Sequence, residues 1–352
     1  MIIRNTVSAL LLMVVMGVNA QADTVALNPN HPDRYVVVKG DTLWDISARF
    51  LRDPWKWPEV WEVNPQIENP NLIYPGDVIS LVFRNGKPVL QVERKPAAPP
   101  PPSNEIKLEP KVRITTLEQP IPTLPTDAVQ QFLLKARVIS PEQAKNSGYI
   151  VSMEEERLIG GTGNKIYARQ LKQHPGGRFE VVRTGRVYRN PGASKTDVLG
   201  YEALHVADAQ VESYGDPSTL TLLKSSREAL IGDRILPAQD GTAINNNFIP
   251  RAPDRQVQGK IIALFDAVSR VGQYQVVVLN QGLNVGLQPG HVLAVYRAGD
   301  TVRDTVADKG EVTLPETRSG ILMVFRVFDK VSYGLIMTAH RDIHLYDEVR
   351  NP

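Results

Sequence analysis

Short runs in which apolar and polar residues alternate, each closed by Gly, Pro, Asn or Asp, dominate the carboxy-terminal part of the chain. "NKIYARQL", "GRFEVVRTG", "GQYQVVVLNQG" and "GHVLAVYRAG" are examples. A period of two is the signature of half-buried strands, so this region is predicted to be mainly β. Helical periodicity is scarce there; its best instance is "TDAVQQFLLKA", with Thr126 placed to cap it. "IIALF" and "ILMVF" are continuously apolar but short, and Lys260, Asp266 and Arg326 bound them. They read as core strands, far short of the roughly 20 residues that a membrane-spanning helix needs.

The amino-terminal pattern differs. "YVVV" (residues 35–38) has the β-branched content of a strand and is followed at once by Lys39-Gly40-Asp41. Thr42 and Asp45 then have the spacing of a capping box. Leu43, Ile46 and Phe50 recur at helical spacing, with Trp44, Ala48 and Leu51 on the adjoining row. Pro58 opens a second helix carrying Val60, Trp61 and Val63, and Asn64-Pro65 stops it. "VISLVF" returns to strand with Ile79 and Leu81 on one face. The order strand, helix, helix, strand predicts two paired strands with both helices over one face. All four Trp (Trp44, Trp55, Trp57, Trp61) fall in this segment, where a small domain needs large aromatics to build a core.

Proline marks the boundary. "KPAAPPPPSN" and "QPIPTLP" cannot supply ladder donors and favour an extended spacer. The expected organisation is α+β and multidomain: a βααβ domain at residues 33–84, a Pro-rich linker at 85–126, and mainly β modules at 127–250 and 251–352. The first module would start with the short helix after Thr126. The two modules read as copies of one unit. "PGGRFEVVR" matches "PGHVLAVYR", and "SREALIGDRI" matches "HRDIHLYDEV", with 44 residues between Arg183 and Arg227 and 44 between Arg297 and Arg341.

Arg4, the apolar run from Val7 to Val18 and the small-residue pattern Ala20-Gln21-Ala22 predict a secretory signal peptide over residues 1–22. The chain has no Cys, so its folded parts must rely on ordinary cores and a lipid-modified Cys is excluded. With 40 Lys plus Arg against 38 Asp plus Glu, there is no electrostatic case for a nucleic-acid partner.

Candidate chemistry is sparse. "GGTGNK" (residues 160–165) lacks the glycine spacing and the Ser or Thr of a phosphate loop and is better read as a turn between strands. His340 and His344 share a strand face with no third ligand in view, so no metal site is expected. Glu154, Glu155 and Glu156 are consecutive and cannot flank one glycosidic bond. No catalytic residue and no cofactor are expected.

"YVVVKGDTLWDIS" followed by "NPNLIYPGDVISL" resembles the LysM family in the order and spacing of its motifs over about fifty residues. "LRDPWKWPEVWEV" departs from the common pattern and resembles the subset with an enlarged connection between the helices. The resemblance implies binding of β-1,4-linked N-acetylglucosamine chains, in peptidoglycan or chitin. By resemblance, the groove lies between the loop Gly40, Asp41, Thr42, Leu43, Trp44 and the loop Asn71, Leu72, Ile73, Tyr74, Pro75. Backbone amides at the Gly40 corner would meet the acetamido group, and Leu43, Leu72, Ile73 and Tyr74 its apolar faces. Trp44 fits a core position better than a sugar platform. On this view Ile73→Asp should weaken glycan binding while sparing stability.

Further along, "QPIPTLPTDAVQQFL", "NKIYAR", "VLGYEALHVADAQV", "GDRILP" and "QGLNVGLQPGHVLAVYR" resemble, in that order, the secretin-associated LysM proteins of type IV pilus systems. Their carboxy-terminal part is similar to a flagellar outer-ring accessory domain. The resemblance implies a non-enzymatic periplasmic protein of a Gram-negative envelope, with peptidoglycan and an outer-membrane secretin ring as partners. A LysM-targeted peptidoglycan hydrolase and an accessory factor of a flagellar or other secretion system are the alternatives.

Overall fold

The computed structural model describes residues 25–61, 73–93, 121–125, 128–129, 132, 137–238, 248–265, 269–305 and 310–352. The expected signal segment, the stop at Asn64-Pro65, Asn71, Leu72 and the Thr126 cap lie outside the described residues.

In the amino-terminal domain, strand β1 (Arg34–Val36) leads to helix α1 (Leu43–Phe50), a 3-10 turn (Pro54–Lys56) and helix α2 (Trp57–Val60). The capping box forms: the Thr42 hydroxyl accepts the Asp45 N–H at 3.1 Å, and the Asp45 carboxylate accepts the Thr42 N–H at 3.3 Å. Strand β2 (Val78–Arg84) pairs antiparallel with β1, setting Tyr35 opposite Ile79. The sheet then gains a strand that the sequence reading assigned to the linker. β3 (Lys87–Glu93) pairs with β2 along its length, so the domain runs past residue 84 and the spacer does not start at residue 85. Asn85 and Gly86 both take positive φ (52° and 77°) between the two strands, the conformation that an Asn-Gly hairpin turn demands. Pro88 is tolerated because β3 is an edge strand in the order β1-β2-β3. One core holds the domain together, built from Leu43, Ile46, Phe50, Trp57, Trp61, Ile73, Ile79 and Leu90 with others.

The rest of the described chain is mainly β, with one short helix (Pro141–Asn146) that Ser140 caps and a few 3-10 turns. Its first part comprises β4 (Arg137–Ile139), β5 (Gly148–Met153), β6 (Ile159–Gly160), β7 (Lys165–Arg169), β8 (Arg178–Tyr188), β9 (Gly200–Ser213), β10 (Ser218–Ser225), β11 (Ala229–Leu230) and β12 (Arg234–Pro237). The second comprises β13 (Gln258–Leu264), β14 (Arg270–Val271), β15 (Val276–Leu279), β16 (Val292–Arg297), β17 (Thr301–Arg303), β18 (Glu311–Thr313), β19 (Thr317–Val327), β20 (Ser332–Ala339), β21 (Ile343–His344) and β22 (Glu348–Arg350). In the second part the ring β13-β15-β20-β19-β16-β22 is closed. In the first, the order is β5-β7-β10-β9-β8-β12; β9 pairs back onto β10 and β12 onto β5, so this ring also returns on itself. Substituting each strand of one ring by its counterpart gives the other, and the small pairs β6–β11 and β14–β21 occupy the same places in chain order.

The second ring explains the continuous apolar runs. Val277, Leu279, Leu322, Val324 and Ile336 belong to one cluster. Val276, Val278, Ile321, Met323, Phe325, Tyr333, Leu335 and Met337 belong to another, together with Trp44, Leu124, Val129, Phe132 and Tyr188. Alternate residues of each strand therefore serve two different cores, and a strand covered on both faces loses its polar alternation. The two rings also touch directly: Arg186 donates to the Leu264 carbonyl at 2.9 Å, and the Asn280 amide to Asn190 Oδ1 at 2.8 Å.

One turn recurs four times. At Gly40-Asp41, Gly76-Asp77, Gly232-Asp233 and Tyr346-Asp347, the Asp carboxylate accepts the N–H three residues back, from Val38, Tyr74, Leu230 and His344, at 2.8–3.1 Å. The Asp N–H returns to the carbonyl of that same residue in each case. The preceding residue has φ of 100°, 96°, 90° and 73° respectively, which suits Gly and strains any residue with a Cβ. Tyr346 is half exposed, so little packing offsets its strain. Tyr346→Gly is expected to stabilise the second ring by roughly 0.5–1 kcal/mol, read as a higher thermal midpoint. A lower midpoint would mean that contacts of the Tyr346 ring outweigh the backbone term.

Candidate functional site

Two of these four Asp-closed turns lie side by side in the amino-terminal domain. Gly76 N–H donates to the Val37 carbonyl at 2.8 Å and Val37 N–H to the Asp77 carbonyl at 2.9 Å, which stitches the Gly40 loop to the Tyr74–Asp77 loop. An added Cβ at Gly40 would meet nothing within 4 Å, so its positive φ, and not crowding, is what calls for glycine. Asp41 is committed to the turn, accepting from Val38 N–H and from the Tyr35 hydroxyl, both at 2.9 Å. That carboxylate helps hold the Tyr35 phenol above its ordinary pKa, after burial as the larger cause.

The side chains do not point where the resemblance would put them. Leu43, Trp44 and Ile73 are each at most 1% exposed, and Leu43 and Ile73 are part of the domain's own core. The expectation that Leu43 and Ile73 lie open to cover a sugar's apolar faces is therefore corrected: both side chains are buried, in a core that also takes in Ile121 from a remote segment. Trp44 joins the cluster that contains the outer face of the second ring. Thr42 is buried and spent on the capping box. Tyr74 and Pro75 remain partly accessible at the rim.

What the cleft offers is backbone chemistry. Leu43 is the first residue of α1, and the N–H groups of a helix's first turn have no intrahelical acceptor. Thr42 satisfies Asp45, not Leu43, so the Leu43 N–H must find its partner outside the helix. Across the cleft, the Ile73 carbonyl is an acceptor just before the second turn. Both groups are met by one short segment: Leu43 N–H donates to the Pro122 carbonyl at 3.0 Å, and Ile121 N–H donates to the Ile73 carbonyl at 2.8 Å. Ile121, Thr123 and Leu124 of that segment are buried. Sequence reasoning missed it by treating residues 85–126 as one spacer. The available signal was the placing of Ile121 and Leu124 among prolines, since an extended Pro-rich chain has no internal hydrogen bonds and leaves its carbonyls free.

The site abuts the second ring. The Tyr274 hydroxyl donates to the Asp45 carboxylate, and burial and that contact both raise the Tyr274 pKa. Elsewhere, residues 160–165 form the turn between β6 and β7, where Gly161 N–H donates to Asn164 Oδ1 at 2.8 Å. Among the described residues, no three His, Cys, Asp or Glu side chains gather as metal ligands would.

Residues 35–82 match the family model described as LysM domain. A stretch of 33 residues is 52% identical to the uncharacterized protein YqbP of Bacillus subtilis (strain 168), covering 9% of this chain and 15% of that protein. With so small a share of the relative spanned, the likeness bears on the matched stretch alone. The chain thus carries a LysM domain at residues 35–82, which supports binding of peptidoglycan or a related N-acetylglucosamine carbohydrate.

Proposed function

We propose that this chain is an exported, non-enzymatic anchor: its LysM domain holds peptidoglycan, and its two β rings hold an outer-membrane machine, the secretin ring of a type IV pilus system. The carrying observation is the facing pair Leu43 N–H and Ile73 C=O between two stitched turns. An acetamido substituent presents the complementary C=O and N–H, and fixed backbone groups can recognise it without a charged side chain. One shallow cleft gives modest affinity; many copies around a symmetric ring would bind a continuous wall with avidity.

The machine-binding half rests on the resemblance of the carboxy-terminal series and on the two rings. We read the rings as copies of one module, for which three features speak. They share a strand order, they share the 44-residue spacing between matched Arg residues, and each has a buried Asp, Asp233 or Asp347, closing the same turn. In the first ring Asp233 is gripped by Arg183 through two hydrogen bonds of 2.8 and 2.9 Å. In the second, burial lifts Asp347 above the usual carboxylate pKa, partly offset by the His344 N–H and by His344 and Arg297.

Deleting residues 25–93, strand β3 included, should leave a protein that co-purifies with detergent-solubilised secretin but no longer sediments with sacculi. Sedimentation after the deletion would move the wall site into the rings. A clearing band from the intact protein on a peptidoglycan zymogram would replace the anchor with a hydrolase. Co-purification with flagellar parts instead of secretin would reassign the machine.

A further inference from the structure

We propose that residues 121–125 are an intramolecular occupant of the glycan cleft, so that wall glycan and this strap compete for the same backbone groups. The inference rests on the reading of the cleft as the glycan site and adds to it how the site is regulated. Both of the facing backbone groups are engaged: Pro122 supplies the carbonyl that an acetamido group would bring to Leu43 N–H, and Ile121 supplies the N–H that it would bring to the Ile73 carbonyl. Apolar contact is supplied as well. Ile121 joins the LysM core, while Leu124 joins the cluster of Trp44, Phe132 and the outer face of the second ring. Proline suits the role, since an extended Pro-rich segment is already close to its bound conformation and loses little entropy on docking.

The strap links two surfaces. Its Ile121 end lies in the LysM core and its Leu124 end in the cluster shared with the second ring, beside the Tyr274–Asp45 hydrogen bond. A glycan chain entering the cleft must lift Ile121 and Pro122, and that withdraws support from Leu124. Glycan binding and docking of the LysM domain on the second ring therefore oppose each other, and by linkage a partner that pulls the ring away from the strap raises glycan affinity. An empty anchor would stay closed, and one seated on its machine would open toward the wall.

The test uses the full mature chain. In one variant, residues 121–125 are exchanged for Gly-Ser-Gly-Ser-Gly; in a second, Ile121→Pro removes only the N–H given to Ile73 and the Ile121 side chain. Calorimetric titration with N-acetylglucosamine tetramer is expected to give roughly tenfold or tighter binding to the first variant than to the unaltered protein, because the closed population no longer lowers apparent affinity. The second variant should fall between them, and it carries the test if loss of Leu124 disturbs folding as seen by circular dichroism. A synthetic peptide of residues 118–126 added to the first variant should displace the sugar. Equal affinity of the sugar for all three proteins overturns the strap while leaving the glycan site intact. Peptide binding with no sugar binding to any of them removes the glycan site and, with it, the competition.

Discussion

Ile73→Asp is expected to unfold the LysM domain and not merely to blunt its ligand binding. Ile73 is fully buried in the core that contains Leu43, Trp57, Ile79 and Ile121. Asp there removes a large apolar side chain and introduces a carboxyl group that must either be buried without a partner or pull the loop apart. Each alternative costs more than about 3 kcal/mol, a large fraction of what a domain of this size has. Ile73→Val, by comparison, should cost about 0.5–1.5 kcal/mol. All four Trp lie in this domain, so tryptophan emission reports its unfolding with little interference from the rings. The mutant's emission should be that of exposed indoles while the far-ultraviolet β signal of the rings persists. A native-like emission spectrum with an unchanged melting point would place Ile73 on the surface and dissolve the packing of the strap against it.

The burial of Ile73 marks the limit of what is legible in the sequence. The motif order, the capping box at Thr42 and Asp45 and the strand pair β1–β2 follow from local chemistry: residue type, spacing and a turn that needs positive φ at Gly40. Which side of a loop residue faces in does not. Ile73 and Leu43 sit next to turns, where periodicity gives no face, and only the packing of Ile121 and its neighbours decides that their side chains point inward. The same limit hid β3. Its Asn85-Gly86 turn was a strong hairpin signal, but the proline-rich composition beginning a few residues later drew the boundary forward.

Further along, the continuous runs "IIALF" and "ILMVF" signalled burial but could not say against what. The covering layer comes from remote stretches, Trp44, Leu124, Phe132 and Tyr188 among them, whose separations in sequence leave no local trace. The matched Asp positions were easier to see because Asp233 and Asp347 each hold a turn in place by accepting a nearby backbone N–H, and such contacts constrain residue type as well as polarity. The strap belongs to the hidden class. Its hydrogen bonds run from backbone to backbone, so they impose only that residue 121 have an N–H and that Pro122 have a carbonyl.

Tyr333→Ala is expected to cost about 3–5 kcal/mol and to loosen the junction on which the strap depends. Tyr333 is fully buried on β20, with the rings of Phe328, Phe265, Phe132 and Phe325 at centroid distances of 5.2, 5.4, 6.4 and 6.4 Å. These partners come from three separate stretches: Phe265 follows β13, Phe325 and Phe328 lie on and just after β19, and Phe132 belongs to the segment between the LysM domain and the rings. Burial pushes the Tyr333 hydroxyl up to about 12, so it stays neutral, and it faces the Tyr188 hydroxyl of the first ring at 3.5 Å. That contact is long for an O–H···O hydrogen bond, so the ring and not the hydroxyl should carry the energy. Tyr333→Phe is accordingly expected to stay within about 1 kcal/mol of the unaltered protein in urea titration, while Tyr333→Ala is not. The second readout is functional. With Phe132 and Leu124 left against a cavity, strap docking should weaken, and Tyr333→Ala should bind N-acetylglucosamine tetramer more tightly than Tyr333→Phe at a temperature where both are folded. Equal sugar affinity in the two variants would separate the aromatic junction from the strap and confine Tyr333 to holding the second ring together.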